Sequence, residues 1–154
     1  MTTPVLEVRD LSVTFDTRDG VVHAVNGNSF VLREGQCLAV LGESGSGKSV
    51  TAQAIMGILP AGYANVTEGS ITYRGVDLLS LSEVERTKVR GHQIAMIFQD
   101  SLSALNPVYK VGKQITEVYA RQKGVSRADA RKKALELMDL VRIPDATNRI
   151  NSFP

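Results

Sequence analysis

The segment Gly42-Glu43-Ser44-Gly45-Ser46-Gly47-Lys48-Ser49 constrains the fold more than any other part of the chain. It matches the pattern Gly-x4-Gly-Lys-Ser in full, and this pattern is meaningful where a strand precedes it and a helix follows it. Five consecutive apolar residues at 37–41 are typical of a strand covered on both faces. The stretch Lys48–Leu59 has a helical pattern that Pro60 and Gly62 bring to an end. The sequence therefore predicts a strand–loop–helix unit in an α/β fold.

The residue types in this loop suit the binding of phosphate groups. Its glycines let the backbone curl until successive N–H groups point into one concavity, and the helix behind adds its positive dipole end. Lys48 supplies a mobile positive charge for β- and γ-phosphates, and the Ser49 hydroxyl is a natural Mg²⁺ ligand. The alternative is a chance glycine-rich turn, which would not require the strand and helix on either side. All eight positions are therefore predicted nucleotide contacts: Gly42, Glu43, Ser44, Gly45, Ser46, Gly47, Lys48 and Ser49.

The part of the chain before and just after the loop reads as short strands joined by turns. Apolar residues alternate over Leu6–Phe15, with a break in register around Arg9-Asp10, and Asp19-Gly20 suits a tight hairpin. Further turns are predicted at 26–28 and 33–35, on either side of a separate strand over Ser29–Leu32. A strand over Gly69–Gly75 places Ile71 and Tyr73 on one face. Together these pieces predict an antiparallel β layer.

The remaining sequence predicts one more buried strand and then helices. Ser82 and Glu85 have the spacing of a capping box for a short helix that reaches about Arg90. A buried strand is expected over Gln93–Gln99. Helices follow over Val111–Arg121 and Ser126–Val141, the second with an apolar stripe formed by Ala130, Ala134, Leu137 and Val141. Residues 1–106 are thus expected to form a core, and residues 107–154 the start of a helical subdomain.

Composition excludes some classes of partner and compartment. The 18 Lys and Arg against 16 Asp and Glu give a net charge of only +2, with the basic residues scattered, so no nucleic-acid partner is predicted. A single cysteine, Cys37, is expected to be a small buried apolar residue in a reducing compartment. No basic and apolar leader opens the sequence, and the apolar runs are far shorter than the roughly 20 residues of a membrane-spanning helix.

The loop, together with Ile97-Phe98-Gln99-Asp100 and the following 101–107 segment that ends in Asn106-Pro107, resembles ATP-binding subunits of ABC transporters. The resemblance is to the subunits of dipeptide, oligopeptide and nickel importers, and it extends over essentially all 154 residues. It implies a P-loop NTPase core with an N-terminal antiparallel β layer and the start of a helical subdomain. It also implies ATP and Mg²⁺ as cofactors.

Two further residues receive roles from this resemblance. Gln99 corresponds to the glutamine that contacts the Mg²⁺ and attacking-water region, so with Lys48 it is a candidate catalytic residue and with Ser49 a candidate metal contact. Without the family, it would be a polar residue ending a strand. Phe15 corresponds to the aromatic that stacks on adenine, although simple core packing is the alternative. Val22 or Val25 could also touch the base, and both His23 and His92 are expected to be surface residues.

The resemblance also implies partners and a missing part. The partners are transmembrane permease subunits, a second ATPase subunit and, indirectly, an extracytoplasmic solute-binding protein, with the chain peripheral on the cytoplasmic membrane face. The family's signature motif, its catalytic acid and its switch histidine have no counterpart after Gln99. A truncated N-terminal part is therefore expected, with uncovered apolar faces at 37–41 and 94–98. The alternatives are a soluble ABC-type ATPase acting on DNA or ribosomes, or a catalytically dead nucleotide-binding fragment.

Overall fold

The structure is a computed structural model that describes residues 4–99 and 104–154. The described chain forms two compact units that divide between Met96 and Ile97. The first unit contains a sheet and two helices, and the second contains three helices.

Four antiparallel strands form the sheet of the first unit. They are β1 (Pro4–Thr17), β2 (Gly20–Arg33), β3 (Ala64–Tyr73) and β4 (Val76–Asp77), in the order β2-β1-β3-β4. The prediction of an antiparallel β layer is confirmed, and β4 is an element that the sequence reading missed. The core of this unit combines residues of β1, β2 and β3 with Ala54 and Leu78, which lie outside the strands: Val8, Leu11, Val13, Val25, Ala54, Ile71, Tyr73 and Leu78.

The two long strands follow the predicted hairpin but bend differently at 26–28. Thr17 pairs with Gly20 across a two-residue turn, and Asp10 has a φ of 47° where the register break was predicted. The prediction of a turn at 26–28 and a separate strand beyond it is wrong, because β2 continues through this region as a bulge. The Ser12 hydroxyl accepts the N–H of Gly27 at 3.1 Å and so satisfies the irregular backbone.

The first unit also contains helices α1 (Lys48–Met56) and α2 (Glu83–Val89). Helix α1 ends earlier than the predicted Leu59, because Gly57 takes the left-handed conformation and its N–H bonds back to the helix carbonyls. The capping box of α2 is confirmed. The hydroxyl and backbone N–H of Ser82 both bond to the Glu85 carboxylate and lower its pKa.

The two predicted buried strands do not form. Neither 37–41 nor 93–99 joins a sheet in the part of the chain that the structure describes, apart from a single bridge between Arg90 and Ile94. A parallel strand needs a hydrogen-bonded neighbour, and the described residues supply none. The expected uncovered apolar surface is confirmed, since Leu41 is 89% exposed and Ile97 is 95% exposed. For the same reason Cys37 is exposed, and the prediction that it is buried is wrong.

The second unit contains α3 (Val111–Lys123), α4 (Arg127–Leu140) and α5 (Ala146–Arg149). Both predicted helices are confirmed, and the Ser126 hydroxyl caps α4 by accepting the N–H of Asp129 at 3.1 Å. The buried stripe of α4 is Ala130, Ala134 and Met138, so the prediction that included Leu137 and Val141 is wrong. Leu137, 37% exposed, lies at the margin of the buried face, and Val141, 65% exposed, follows the last residue of the helix.

Among the described residues, none of the helices combines the length and the apolar character needed to cross a membrane.

Candidate nucleotide-binding site

The loop Gly42–Ser49 curls back on itself and leads directly into α1. Gly45 and Gly47 have φ angles of 85° and 84°, a region of backbone conformation that favours glycine. The N–H of Ser46 donates to the Glu43 carbonyl at 3.2 Å, which closes the turn. Most of the loop is exposed, with Gly47 as its buried point. The glycines of the motif therefore set the shape of the loop.

The Lys48 ammonium group lies across the mouth of this loop. Its Nζ donates to the carbonyl oxygens of Gly42 and Glu43, each at 2.6 Å, and to the Ser46 hydroxyl at 3.1 Å. These bonds use the three donors of the ammonium and place a full positive charge at the centre of the loop. An anion that enters the loop would meet this charge, and the half-buried Lys48 side chain could exchange its loop acceptors for the anion's oxygens.

The first turn of α1 complements the same charge. Among the described residues, no side chain caps this helix, and its first turn contains no acidic residue. The backbone N–H groups and the positive dipole end are thus left for an anion. The exposed Ser49 lies in this turn, where its hydroxyl is available to a metal ion that accompanies the anion. No cluster of three His, Cys, Asp or Glu residues suited to a metal occurs within residues 4–99 and 104–154. The loop therefore fits a phosphate group.

The loop rests on strand β2 through Gly47. A Cβ atom at this position would lie 2.4 Å from the Ala24 carbonyl oxygen and 3.1 Å from Cγ2 of Val25. The next turn of α1 is tied to the same strand, because Asn28 Nδ2 donates to Thr51 Oγ1 at 3.4 Å. Ala24 and Val25 hold the loop in place, and sequence reasoning did not identify them, since the contact depends on tertiary packing.

Phe15 lies near this contact, on the neighbouring strand. It is paired with Val22 of β2, and Val22 is 51% exposed. Val22 precedes Ala24 by two residues, which at ~3.3 Å per strand residue is roughly 7 Å. Phe15 itself is half-buried and packs against the core of the first unit. This position is compatible with both the adenine contact and the core-packing alternative.

Gln99 lies in the second unit and is exposed. The residues that complete its motif, Asp100 to Ser103, lie outside the described part of the chain. The two histidines are exposed as expected, His23 on β2 and His92 in a turn. The structure thus brings together the eight loop residues and, in the same unit, Phe15, while the role of Gln99 stays a prediction.

The turn Asn106–Tyr109 is held by a residue that sequence reasoning missed. Gln114 Oε1 accepts the N–H of Asn106 at 2.9 Å, and its Nε2 donates to the carbonyls of Asn106 at 2.9 Å and Tyr109 at 2.8 Å. Asn106 Oδ1 also accepts the N–H of Val108 at 3.0 Å. The only sequence signal for these hydrogen bonds is an amide side chain one turn into α3, and this feature is too common to predict them.

A curled glycine loop between the β layer and α1, with a lysine across its mouth, defines a P-loop nucleotide-binding protein. The family model for the ABC transporter matches residues 25–153. The chain therefore belongs to the ABC transporter family, whose members bind ATP.

Individual relatives and solved structures agree with this assignment. The chain is 50% identical over 152 residues to the oligopeptide transport ATP-binding protein OppD of Bacillus subtilis, covering 99% of this chain and 42% of OppD. It is 51% identical over 151 residues to the dipeptide transport ATP-binding protein DppD of Lactococcus lactis, covering 97% and 43% of the two chains. The chain thus spans less than half the length of these relatives.

The fold also matches a solved structure of a dimeric bacterial ABC transporter cassette, MJ0796. The TM-score is 0.81 at 22% identity, covering 97% of this chain and 61% of the other. At that identity the match shows the fold alone. It confirms the ABC cassette as the fold class.

Substitution of Gly45 and Gly47, two loop glycines with left-handed backbone conformation, separates the cost of backbone strain from the cost of a packing collision. Gly45→Ala meets no atom within 4 Å, so it should destabilise the chain only by the left-handed penalty of ~1–2 kcal/mol. Gly47→Ala adds the collision with Ala24, and overpacking of this kind costs roughly 1–3 kcal/mol more. Urea denaturation of the two variants and the parent chain measures the difference. Equal destabilisation by both variants would show that Gly47 does not pack against β2.

Proposed function

We propose that this chain is the nucleotide-binding part of an ABC importer ATPase subunit, and that it binds MgATP through Gly42–Ser49. The observation that carries the proposal is the position of Lys48 Nζ, held at 2.6 Å from two loop carbonyls at the mouth of an uncapped helix. Small displacements of this side chain exchange the carbonyl oxygens for phosphate oxygens. The charge is therefore already in place when the nucleotide arrives.

The residues of the loop divide the binding of the triphosphate between them. Backbone N–H groups of Gly45, Gly47 and Lys48 would hold the β-phosphate, and the Lys48 ammonium would supply positive charge to the β- and γ-phosphates. The hydroxyl of Ser49 is the ligand that this chain offers to Mg²⁺, which when bound neutralises phosphate charge. Phe15 supplies an aromatic face for the adenine, next to the strand that supports the loop. Each of these groups belongs to the first unit.

Hydrolysis is proposed for the whole protein rather than for these residues alone. Gln99 is assigned to the Mg²⁺ and attacking-water region as a candidate catalytic residue. The sequence after it contains no apolar strand that ends in Asp and is followed by Glu. The family's catalytic carboxylate therefore has no counterpart among the 154 residues, and we assign them nucleotide binding with little turnover of their own.

The transported solute is proposed to be a peptide or a related small molecule, on the strength of the relatives named for oligopeptide and dipeptide transport. The proposed partners are transmembrane permease subunits and a second ATPase subunit, with an extracytoplasmic solute-binding protein acting through the permease. The proposed location is peripheral, on the cytoplasmic face of the membrane. Binding and hydrolysis of ATP would then drive uptake.

Removal of the Lys48 charge tests the proposal. Lys48→Ala should weaken ATP binding by roughly 10- to 100-fold, because a hydrogen bond to a charged group contributes about 1.5–3 kcal/mol. Titration calorimetry with MgATP measures this on the 154-residue chain. Lys88→Ala, which removes an exposed lysine of α2, is the matched control and should bind as the parent does. In the complete gene product the same Lys48→Ala substitution should abolish ATPase activity, and undiminished hydrolysis would refute the proposed function.

A second test separates the base contact from core packing at Phe15. Phe15→Ala should weaken ATP binding by ~1–3 kcal/mol, the usual contribution of base stacking on an aromatic ring. Inorganic pyrophosphate has no base, so its affinity should be unchanged in this variant. Phe15→Tyr keeps the ring and should keep the parent affinity for ATP. Equal losses for ATP and pyrophosphate in Phe15→Ala would assign Phe15 to core packing alone.

A further inference from the structure

The second unit contains a cleft of about 850 Å³ between α3, α4 and the segment Ile150-Asn151. Its floor includes Gly112 and Ile150, which are buried, and Tyr109 lies at its edge. A cleft of this size falls in the range of small-ligand sites, roughly 300–1,000 Å³. It is separate from the loop Gly42–Ser49, which belongs to the first unit.

The charge of the cleft differs from that of the chain as a whole. One carboxylate, Glu117, lines it, together with five cationic side chains: Lys110, Lys113, Arg121, Arg127 and Arg131. Five positive charges and one negative charge leave +4 in the cleft, whereas the entire chain has a net charge of +2. The other residues therefore sum to −2. The basic residues that are scattered in sequence are gathered here by the antiparallel packing of α3 and α4.

Three of the five cations have partners inside the unit. Arg121 pairs with Glu117 at 3.0 Å, Arg131 Nη2 donates to Asn151 Oδ1 at 3.0 Å, and Lys113 Nζ lies 4.0 Å from the centroid of the Tyr109 ring. Of these contacts, only the first brings a negative charge. The positive charge of the cleft is therefore largely uncompensated.

The other two cations stand in unfavourable places. Within the described residues, neither the Lys110 nor the Arg127 side chain forms a hydrogen bond or an ion pair. Lys110 is the N-cap of α3 and Arg127 is the first residue of α4, where the positive end of a helix dipole disfavours a cation. Arg127 also lies one turn from Arg131, and like charges at this spacing repel. An anion bound beside Arg127 and Arg131 would relieve the dipole and repulsion terms at that end of the cleft, whereas Lys110 lies at the other end of α3.

We propose that this cleft binds a phosphate-bearing anion, either the headgroup of an acidic phospholipid or a free organic phosphate. Three of its cations are arginines, and a planar guanidinium group can donate two parallel hydrogen bonds to two oxygens of one phosphate. The N–H groups of Val111 and Gly112 already donate to the carbonyls of Ser152 and Ile150 at 2.9 and 2.8 Å, so side chains hold the anion.

The surroundings of the cleft admit a lipid headgroup as well as a free phosphate. Tyr109 is exposed at the edge, and the adjacent Val108 is 73% exposed. Apolar and aromatic side chains beside clustered cations are typical of surfaces that meet anionic membranes. A headgroup would place its phosphate among the cations and its acyl chains towards Val108. A free phosphate would use the same cations without that contact.

The test measures two probes in a Lys48→Ala background, which weakens the binding of phosphate by the loop Gly42–Ser49. One probe is inorganic pyrophosphate, followed by calorimetry, and the other is vesicles of phosphatidylglycerol and phosphatidylcholine, followed by sedimentation. Binding of pyrophosphate supports a free phosphate ligand. Binding to these vesicles, but not to pure phosphatidylcholine, with no binding of pyrophosphate supports a lipid headgroup. Absence of binding to both probes overturns the proposal.

Matched variants locate the binding in the cleft. Arg127→Ala and Arg131→Ala should each weaken binding of the active probe by roughly tenfold, because each removes a charged hydrogen-bond donor from the same end of the cleft. Lys132→Ala removes an equal charge from α4 outside the cleft and should bind as the background chain does. All three side chains are exposed, and circular dichroism verifies their helix content. An equal loss in Lys132→Ala would indicate unspecific attraction and overturn the proposal.

Discussion

The contact between Gly47 and the Ala24 carbonyl is the constraint on which the nucleotide-binding unit depends. It holds the phosphate loop against β2 at a point where a Cβ atom would lie only 2.4 Å from the carbonyl oxygen. Because Gly47 is also the residue before α1, the same contact fixes where that helix begins. This contact therefore also fixes, relative to the β layer, the positions of the uncapped first turn, the Lys48 ammonium and the exposed Ser49.

Local signals predicted much of this arrangement. The Gly-Lys-Ser pattern, the Ser82–Glu85 capping box and the turn before Gly20 each depend on a few neighbouring residues, and each took its expected form. Long-range pairing was harder to predict. The sequence around Gly27 suits a turn as well as a bulge, because a glycine with a positive φ occurs in both structures. The apolar runs at 37–41 and 94–98 have the pattern of buried strands, but a strand exists only where a neighbour pairs with it.

The candidate site shows the same division between local and tertiary information. The eight loop residues could be assigned from sequence, because their chemistry is written in one uninterrupted motif. The residues that support these segments could not be assigned from sequence. The Ala24 carbonyl of β2 packs against the loop, and Gln114 of α3 hydrogen-bonds to Asn106. The basic cleft is a further case, since its cations come from both ends of α3 and from α4. Only the packing of the helices brings these cations into one cleft.

The most direct test of the central claim follows the backbone amides of the loop when MgATP is added to the ¹⁵N-labelled chain. If the loop cradles the phosphates, the largest chemical-shift changes should fall on Gly45, Gly47, Lys48 and Ser49, and the same amides should respond to pyrophosphate. Unchanged loop amides at ATP concentrations that shift other parts of the chain would contradict the account.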